Sequence, residues 1–116
     1  MKFIEAIIRP NMYYKTKEKL AEQGFHSAFT YNVLGRGQKA AVYELVHDGT
    51  SSKTKLEFCS KKYIGIYAID EDVDEIVDII KKTNSKGCHG DGKIFITNSY
   101  NAIRISTKES GEDAIV

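Results

Sequence analysis

Residues 3–8 are apolar on both parities, Phe3 and Ile7 on one and Ile4, Ala6 and Ile8 on the other. That pattern predicts a strand covered at least partly on both faces. Arg9-Pro10-Asn11 ends it, with Asn11 placed to cap a helix. Over residues 12–23, Met12, Thr16 and Leu20 form one helical stripe with Tyr13 and Ala21 beside them, and Gly24 follows as a left-handed terminator. Residues 25–34 are richer in strand formers and predict a second strand. From Gly35 to about Glu57 the periodicity disappears apart from a short patch at 42–46, which predicts a long, mobile polar loop. A strand resumes over 62–68, with Ile64 and Ile66 facing one way and Tyr63 and Tyr67 the other. Asp72-x-x-Glu75 resembles a capping box, and Val73, Ile76, Val77 and Ile80 make an i, i+3, i+4, i+7 face ahead of Lys81 and Lys82. Residues 83–92 form a second flexible connection. Residues 93–97 read as a strand and 102–106 as a further short one.

The order β-α-β-loop-β-α-β predicts an α+β, ferredoxin-like βαββαβ sandwich with its long loop between strands two and three. Residues 1–116 form a single domain without an internal boundary. Right-handed crossovers put both helices on one face of the antiparallel sheet. The other face, with Phe3, Ile7, Tyr63 and Tyr67 as candidates, is then left open, and copies of the same chain are the simplest cover for it.

Composition narrows the function without naming it. With 17 Lys and Arg against 16 Asp and Glu in 116 residues, the charge is +1, too small to draw the chain to nucleic acid. The apolar runs are too short to insert in a membrane, the N-terminus shows no signal-peptide core, and a cytoplasmic location is expected. Cys59 and Cys88 lie far apart, and His26, His47 and His89 have no metal-ligand spacing, so neither a disulfide framework nor a metal site is expected.

The strongest local signal is His89-Gly90-Asp91-Gly92-Lys93, where two glycines let the backbone turn tightly and expose N–H groups beside a lysine. Such a concavity binds anions, phosphate above all, although a tight turn into a strand has the same composition. Gly35-Arg36-Gly37 is a second and weaker glycine pair, and Arg104 a third positive candidate. No nucleophile–base pairing stands out, and the glycine-rich turn precedes the last strand instead of following the first, which argues against an acylphosphatase-like enzyme.

Taken together, these segments resemble the PII family of trimeric nitrogen-status sensors. The resemblance runs through Ile4-Glu5-Ala6-Ile7-Ile8-Arg9-Pro10, Leu20-Ala21-Glu22-x-Gly24, Gly35-x-Gly37, Gly90-Asp91-Gly92-Lys93-Ile94-Phe95 and Arg104-Ile105-Ser106-Thr107, with the tail Gly111-Glu112-Asp113-Ala114-Ile115. Gly35-Arg36-Gly37 and Lys82-Thr83-Asn84 are most similar to the nitrogenase-associated subgroup. The resemblance implies a regulator, not an enzyme: a cytoplasmic homotrimer that binds ATP or ADP, with Mg and 2-oxoglutarate, in its inter-subunit clefts. It implies that Ile7, Gly35, Gly37, Gln38, Gly90, Asp91, Gly92 and Lys93 line the nucleotide site, with Arg104 from the adjacent chain. With one residue deleted after Gly37, Gln38 corresponds to the glutamine that holds Mg-ATP and 2-oxoglutarate, and Lys61 to the lysine that pairs with the 2-oxoglutarate carboxylate. Residues 38–57 would be the T-loop that contacts a target such as nitrogenase, a nitrogen-assimilation enzyme or an ammonium transporter.

The sequence also departs from the family pattern. Ser106 stands in place of a second phosphate-binding arginine, Phe29 in place of a threonine, and Gly65 in place of a glutamate, the last two at positions that help recognise adenosine. The loop lacks the uridylylation motif. A divergent relative that binds another small molecule is therefore the alternative function.

Overall fold

In a computed structural model of the chain, residues 1–36, 58–87 and 89–116 are described in full, and residues 41–47 and 50–56 as backbone. The elements are β1 (Lys2–Ile8), α1 (Tyr13–Glu22), β2 (Phe29–Gly35), β3 (Ala41–His47), β4 (Thr50–Leu56), β5 (Cys59–Ala68), α2 (Asp70–Asn84) and β6 (Lys93–Asn98). Four strands form one antiparallel sheet in the order β2-β5-β1-β6. Both helices lie over a single face, the ferredoxin-like arrangement the element order predicts.

The alternation in β1 decides which face that is. Ile4, Ala6 and Ile8 are buried, as are Ile64, Ile66 and Ala68 of β5 beside them. Leu20 of α1 and Val73, Ile76 and Ile80 of α2 close this core from above, with Val77 packed at its margin. Between the helices the buried Asn84 carboxamide donates to Thr16 Oγ1 at 3.0 Å and to Ile80 O at 2.9 Å, while Thr16 Oγ1 donates to Met12 O at 2.7 Å. A buried polar pair of this kind is tolerated because its donors are paired.

Helix ends show where local signals held and where they did not. Gly24 adopts φ +89°, Gly24 N donates to Ala21 O and Phe25 N to Leu20 O, the double closure a left-handed glycine permits. Phe25 therefore belongs to the cap, and β2 begins at Phe29. At the other end Asn11 makes no side-chain cap. Pro10–Met12 is a 3-10 turn leading into α1, which gives the chain its turn without a capping side chain. The Asp72–Glu75 capping box is not formed either: the N-cap is Ile69, three residues earlier, with Asp70, Glu71 and Asp72 all in the first turn, where they complement the helix dipole.

The stretch expected to be an irregular loop instead contains an antiparallel ribbon, β3 paired with β4 from Ala41–Leu56 to His47–Thr50. Its sequence supplies β-formers, Val42, Tyr43, Val46, Thr50 and Thr54, and Asp-Gly between His47 and Thr50, a composition typical of two-residue hairpins. A ribbon satisfies its own backbone, so a strand can form there without the alternating burial that a core imposes. The expected strand over 102–106 is also absent. Ile103 makes a single bridge to Ser110, closing a turn.

The face opposite the helices carries rings. Phe3 stacks on Tyr67 at 4.4 Å and on Phe29 at 5.8 Å, and Tyr31 stacks on Tyr63 at 4.3 Å. Phe29, Tyr31, Tyr67 and Phe95 remain exposed. Tyr63 is buried among them and donates its hydroxyl to Glu5 Oε2 at 2.7 Å. Burial, then that bond to a carboxylate, pushes the phenol up beyond its ordinary range, so it stays protonated.

Candidate functional site

The end of β1, the start of β6 and the first half of β5 meet at one corner of the sheet. Ile7 is flanked there by Tyr63 on one side and Lys93 on the other. The chain leaving α2 crosses this corner before it becomes β6, and its last turn lies directly on β1. Gly92 has φ +121°, and a Cβ there would collide with the Ile7 carbonyl oxygen and press on Ile8 Cα. Glycine is required at 92 both by the backbone angle and by the space. Gly90 also takes a left-handed angle, φ +92°.

Asp91 organises the turn. Its Oδ1 accepts from Arg9 Nη1 at 2.6 Å, and its Oδ2 accepts from the amides of Lys86 and Gly87 at 2.9 and 3.0 Å. A carboxylate suits this position because two oxygens are needed, one for a guanidinium and one for backbone amides. Arg9 Nη2 also donates to His89 O at 3.0 Å, and Lys61 Nζ donates to Gly90 O at 3.1 Å. Arg9 just past β1, Lys61 of β5 and the exposed Lys93 of β6 thus flank a glycine-rich turn. Lys61 also reaches back toward Gly35, the last residue of β2, where a Cβ would lie 3.5 Å from Lys61 Cγ. Gly37 and Gln38 lie outside the described residues.

Ile7, Gly35, Lys61, Gly90, Asp91, Gly92 and Lys93 therefore lie along one end of the sheet, from Gly35 on the β2 edge to Lys93 on the β6 edge. Arg9 was absent from the expected site, although it is the residue that clamps the turn. Its acidic partner is 82 positions away, and no local pattern joins them.

Arg104 is elsewhere. β6 carries the chain from Lys93, paired with Ile7, to Asn98, paired with Lys2, about 17 Å along the strand. Beyond it, Arg104 Nη1 donates to Glu109 Oε2 at 2.6 Å, and Nη2 donates to Asp113 O and Val116 O at 3.0 and 2.8 Å. Among the described residues its side-chain hydrogen bonds all go to its own tail.

Behind the turn, a groove of about 360 Å³ between α2 and β6 is walled by Ile8, Val77, Ile94 and Ile96, with Lys81 and Lys93 beside it. On the open face, the unusual Phe29 and Gly65 turn out to be cross-strand partners. Phe29 ring atoms lie 2.7 and 2.8 Å from where a Cβ at 65 would sit, so the ring occupies the space a side chain at 65 would need. Among the described residues, no three His, Cys, Asp or Glu side chains gather as a metal would require. No helix among them is long and apolar enough to cross a membrane.

Chemically, two left-handed glycines with Lys61 and Lys93 beside them give the turn the backbone freedom and positive charge on which anion-binding concavities are built. The family model described as Nitrogen regulatory protein P-II matches residues 1–109. Over 122 aligned positions spanning the whole of both chains, the sequence is 43% identical to a Methanobacterium ivanovii protein named Nitrogen fixation nifHD region GlnB-like protein 2. It is 37% identical to Nitrogen regulatory protein P-II 2 of Methanothermobacter thermautotrophicus, over 99% of this chain and 97% of that one. The solved structure of B. subtilis GlnK matches with a TM-score of 0.76 at 26% identity, covering 97% of this chain and 96% of the other.

Proposed function

Since the chain belongs to the nitrogen regulatory protein P-II family, whose members are signalling proteins and not enzymes, we propose that it binds ATP or ADP in clefts between the subunits of a homotrimer. In this reading the backbone at Gly90 and Gly92 approaches the phosphates, Lys93 supplies a fixed cation, and Ile7 and Gly35 line the same end of the sheet. Asp91 contributes by holding the turn in shape. Gly37 and Gln38 are assigned to the pocket on the family pattern alone. Lys61 takes a carboxylate of 2-oxoglutarate, and magnesium accompanies the nucleotide. Arg104 comes from the neighbouring copy, because within one chain its bonds go to its own tail. Residues 38–57 of the single domain form the arm that contacts the target. The relatives named for a nitrogen fixation region favour nitrogenase as that target over an ammonium transporter or a nitrogen-assimilation enzyme. A cytoplasmic location follows from those partners.

The observation that carries this reading is the Gly90–Gly92 turn laid on Ile7, with Arg9, Lys61 and Lys93 around it. The test is calorimetric titration with ATP, ADP, AMP and 2-oxoglutarate. Saturable ATP binding is expected, weakened about tenfold or more in Lys93→Ala, since a hydrogen bond to a charged group contributes about 1.5–3 kcal/mol. Absence of heat with every adenine nucleotide sinks it. A second reading has its own support: the Phe29 ring filling the space over Gly65 favours a P-II fold with altered base recognition. In that case adenine nucleotides fail to bind, and Ser106→Arg does not restore them.

A further inference from the structure

Arg104 has five N–H donors, and three of its hydrogen bonds are already made inside its own chain. Nη1 and Nη2, the two nitrogens that can grip an oxyanion with parallel bonds, are engaged by Glu109 on one and by two tail carbonyls on the other. The backbone repeats the tie: Arg104 N donates to Glu109 O at 2.8 Å and Lys108 N donates to Arg104 O at 2.7 Å. Lys108 takes φ 62°, a left-handed conformation that side-chain-bearing residues seldom adopt. Glu112 and Asp113 follow closely in the chain, and neither carboxylate bonds to the guanidinium; of these two residues only the Asp113 carbonyl does. Position 106 offers serine, so no second cation stands two residues on to share the load.

We propose that the C-terminal tail competes with a polyanion for Arg104, and that Glu109 sets how tightly the polyanion is held. This rests on the reading of Arg104 as a phosphate contact. A phosphate gripped by Nη1 and Nη2 together competes with the Glu109 carboxylate on the first and with a tail carbonyl on the second. Residues 109–116 then lose ties to the guanidinium and are held by their remaining bonds. By linkage, whatever loosens the tail tightens the polyanion, and the reverse. The effect is modest, because the Arg104 and Glu109 side chains are 36% and 47% exposed and an ion pair in water contributes little.

The experiment uses the full chain with ATP as the probe, comparing wild type with Glu109→Gln and with Glu112→Gln, which changes tail charge at a residue with no side-chain bond to Arg104. Calorimetry measures affinity, and amide hydrogen exchange follows the amides of Gly111 and Ile115, which donate to Ala102 O and Glu112 O in the ordered tail. Glu109→Gln is expected to bind ATP about three- to fivefold tighter, and Glu112→Gln within about twofold of wild type. Saturating ATP is expected to speed exchange at both tail amides. Unchanged exchange at saturation overturns the proposal, as does a Glu109→Gln affinity no better than that of wild type, while the nucleotide reading survives. Binding seen only in Glu109→Gln supports a tail that holds the site shut. Binding in neither protein defeats the nucleotide reading and the competition together.

Discussion

Gly92 and Gly35 are both glycines at the candidate site, and the structure distinguishes why each is one. At 92 a side chain meets the Ile7 carbonyl and a left-handed backbone at once, whereas at 35 it makes an ordinary contact with Lys61. Gly92→Ala should therefore cost about 2–4 kcal/mol of stability, from backbone strain plus overpacking. Gly35→Ala should cost less than about 1 kcal/mol. Urea unfolding of the two variants checks this, and equal losses would show that the turn does not lie on β1. Asp91 holds the same turn from within, so the shape of the turn depends on a carboxylate that faces Arg9 and two amides.

Strands β2 and β5 show how two departures from a family pattern can be a single event. Phe29 and Gly65 face each other across the ladder, and the ring occupies the room that a side chain at 65 would need. Gly65→Glu alone should destabilise by about 1–3 kcal/mol through overpacking. In a Phe29→Thr background the same change should cost much less, giving a coupling of about 1 kcal/mol or more. A double-mutant cycle by chemical unfolding measures it, and additive effects would refute the exchange. Helix α2 presents the simpler case. Its face of Val73, Ile76 and Ile80 is buried where the periodicity places it, because helical spacing alone aligns those side chains.

For the whole molecule, the sheet face away from the helices carries Phe29, Tyr31, Tyr67 and Phe95, all exposed in a single chain. Rings stacked in a continuous strip on water-facing sheet are an unfavourable surface for a monomer. Light scattering at micromolar concentration should give three times the 13.0 kDa chain mass. A stable species of one chain mass would remove both the proposed trimer and the cleft in which Arg104 would meet the Gly90–Gly92 turn of a neighbour.

Much of this architecture was legible along the chain, and the boundary of what was legible is physical. The parity of Ile4, Ala6 and Ile8, the opposed pairs Ile64/Ile66 and Tyr63/Tyr67, the α2 stripe and the left-handed Gly24 are determined by the sequence itself, because each signal repeats within a few residues. The β3–β4 ribbon escaped that reading because no core-facing alternation marks it, although its Asp-Gly pair was a local clue. Which distant residues meet was decided only by tertiary structure. Arg9 with Asp91, Lys61 with Gly90 and Phe29 with Gly65 are joined by strand register and by the path of the α2–β6 connection, and no neighbouring residue encodes either. The direction of Arg104 belongs to the same class. Its charge is a property of the sequence, but its hold on Glu109 and the C-terminal carbonyls comes from a turn that closes only when the tail folds back at Ile103–Ser110.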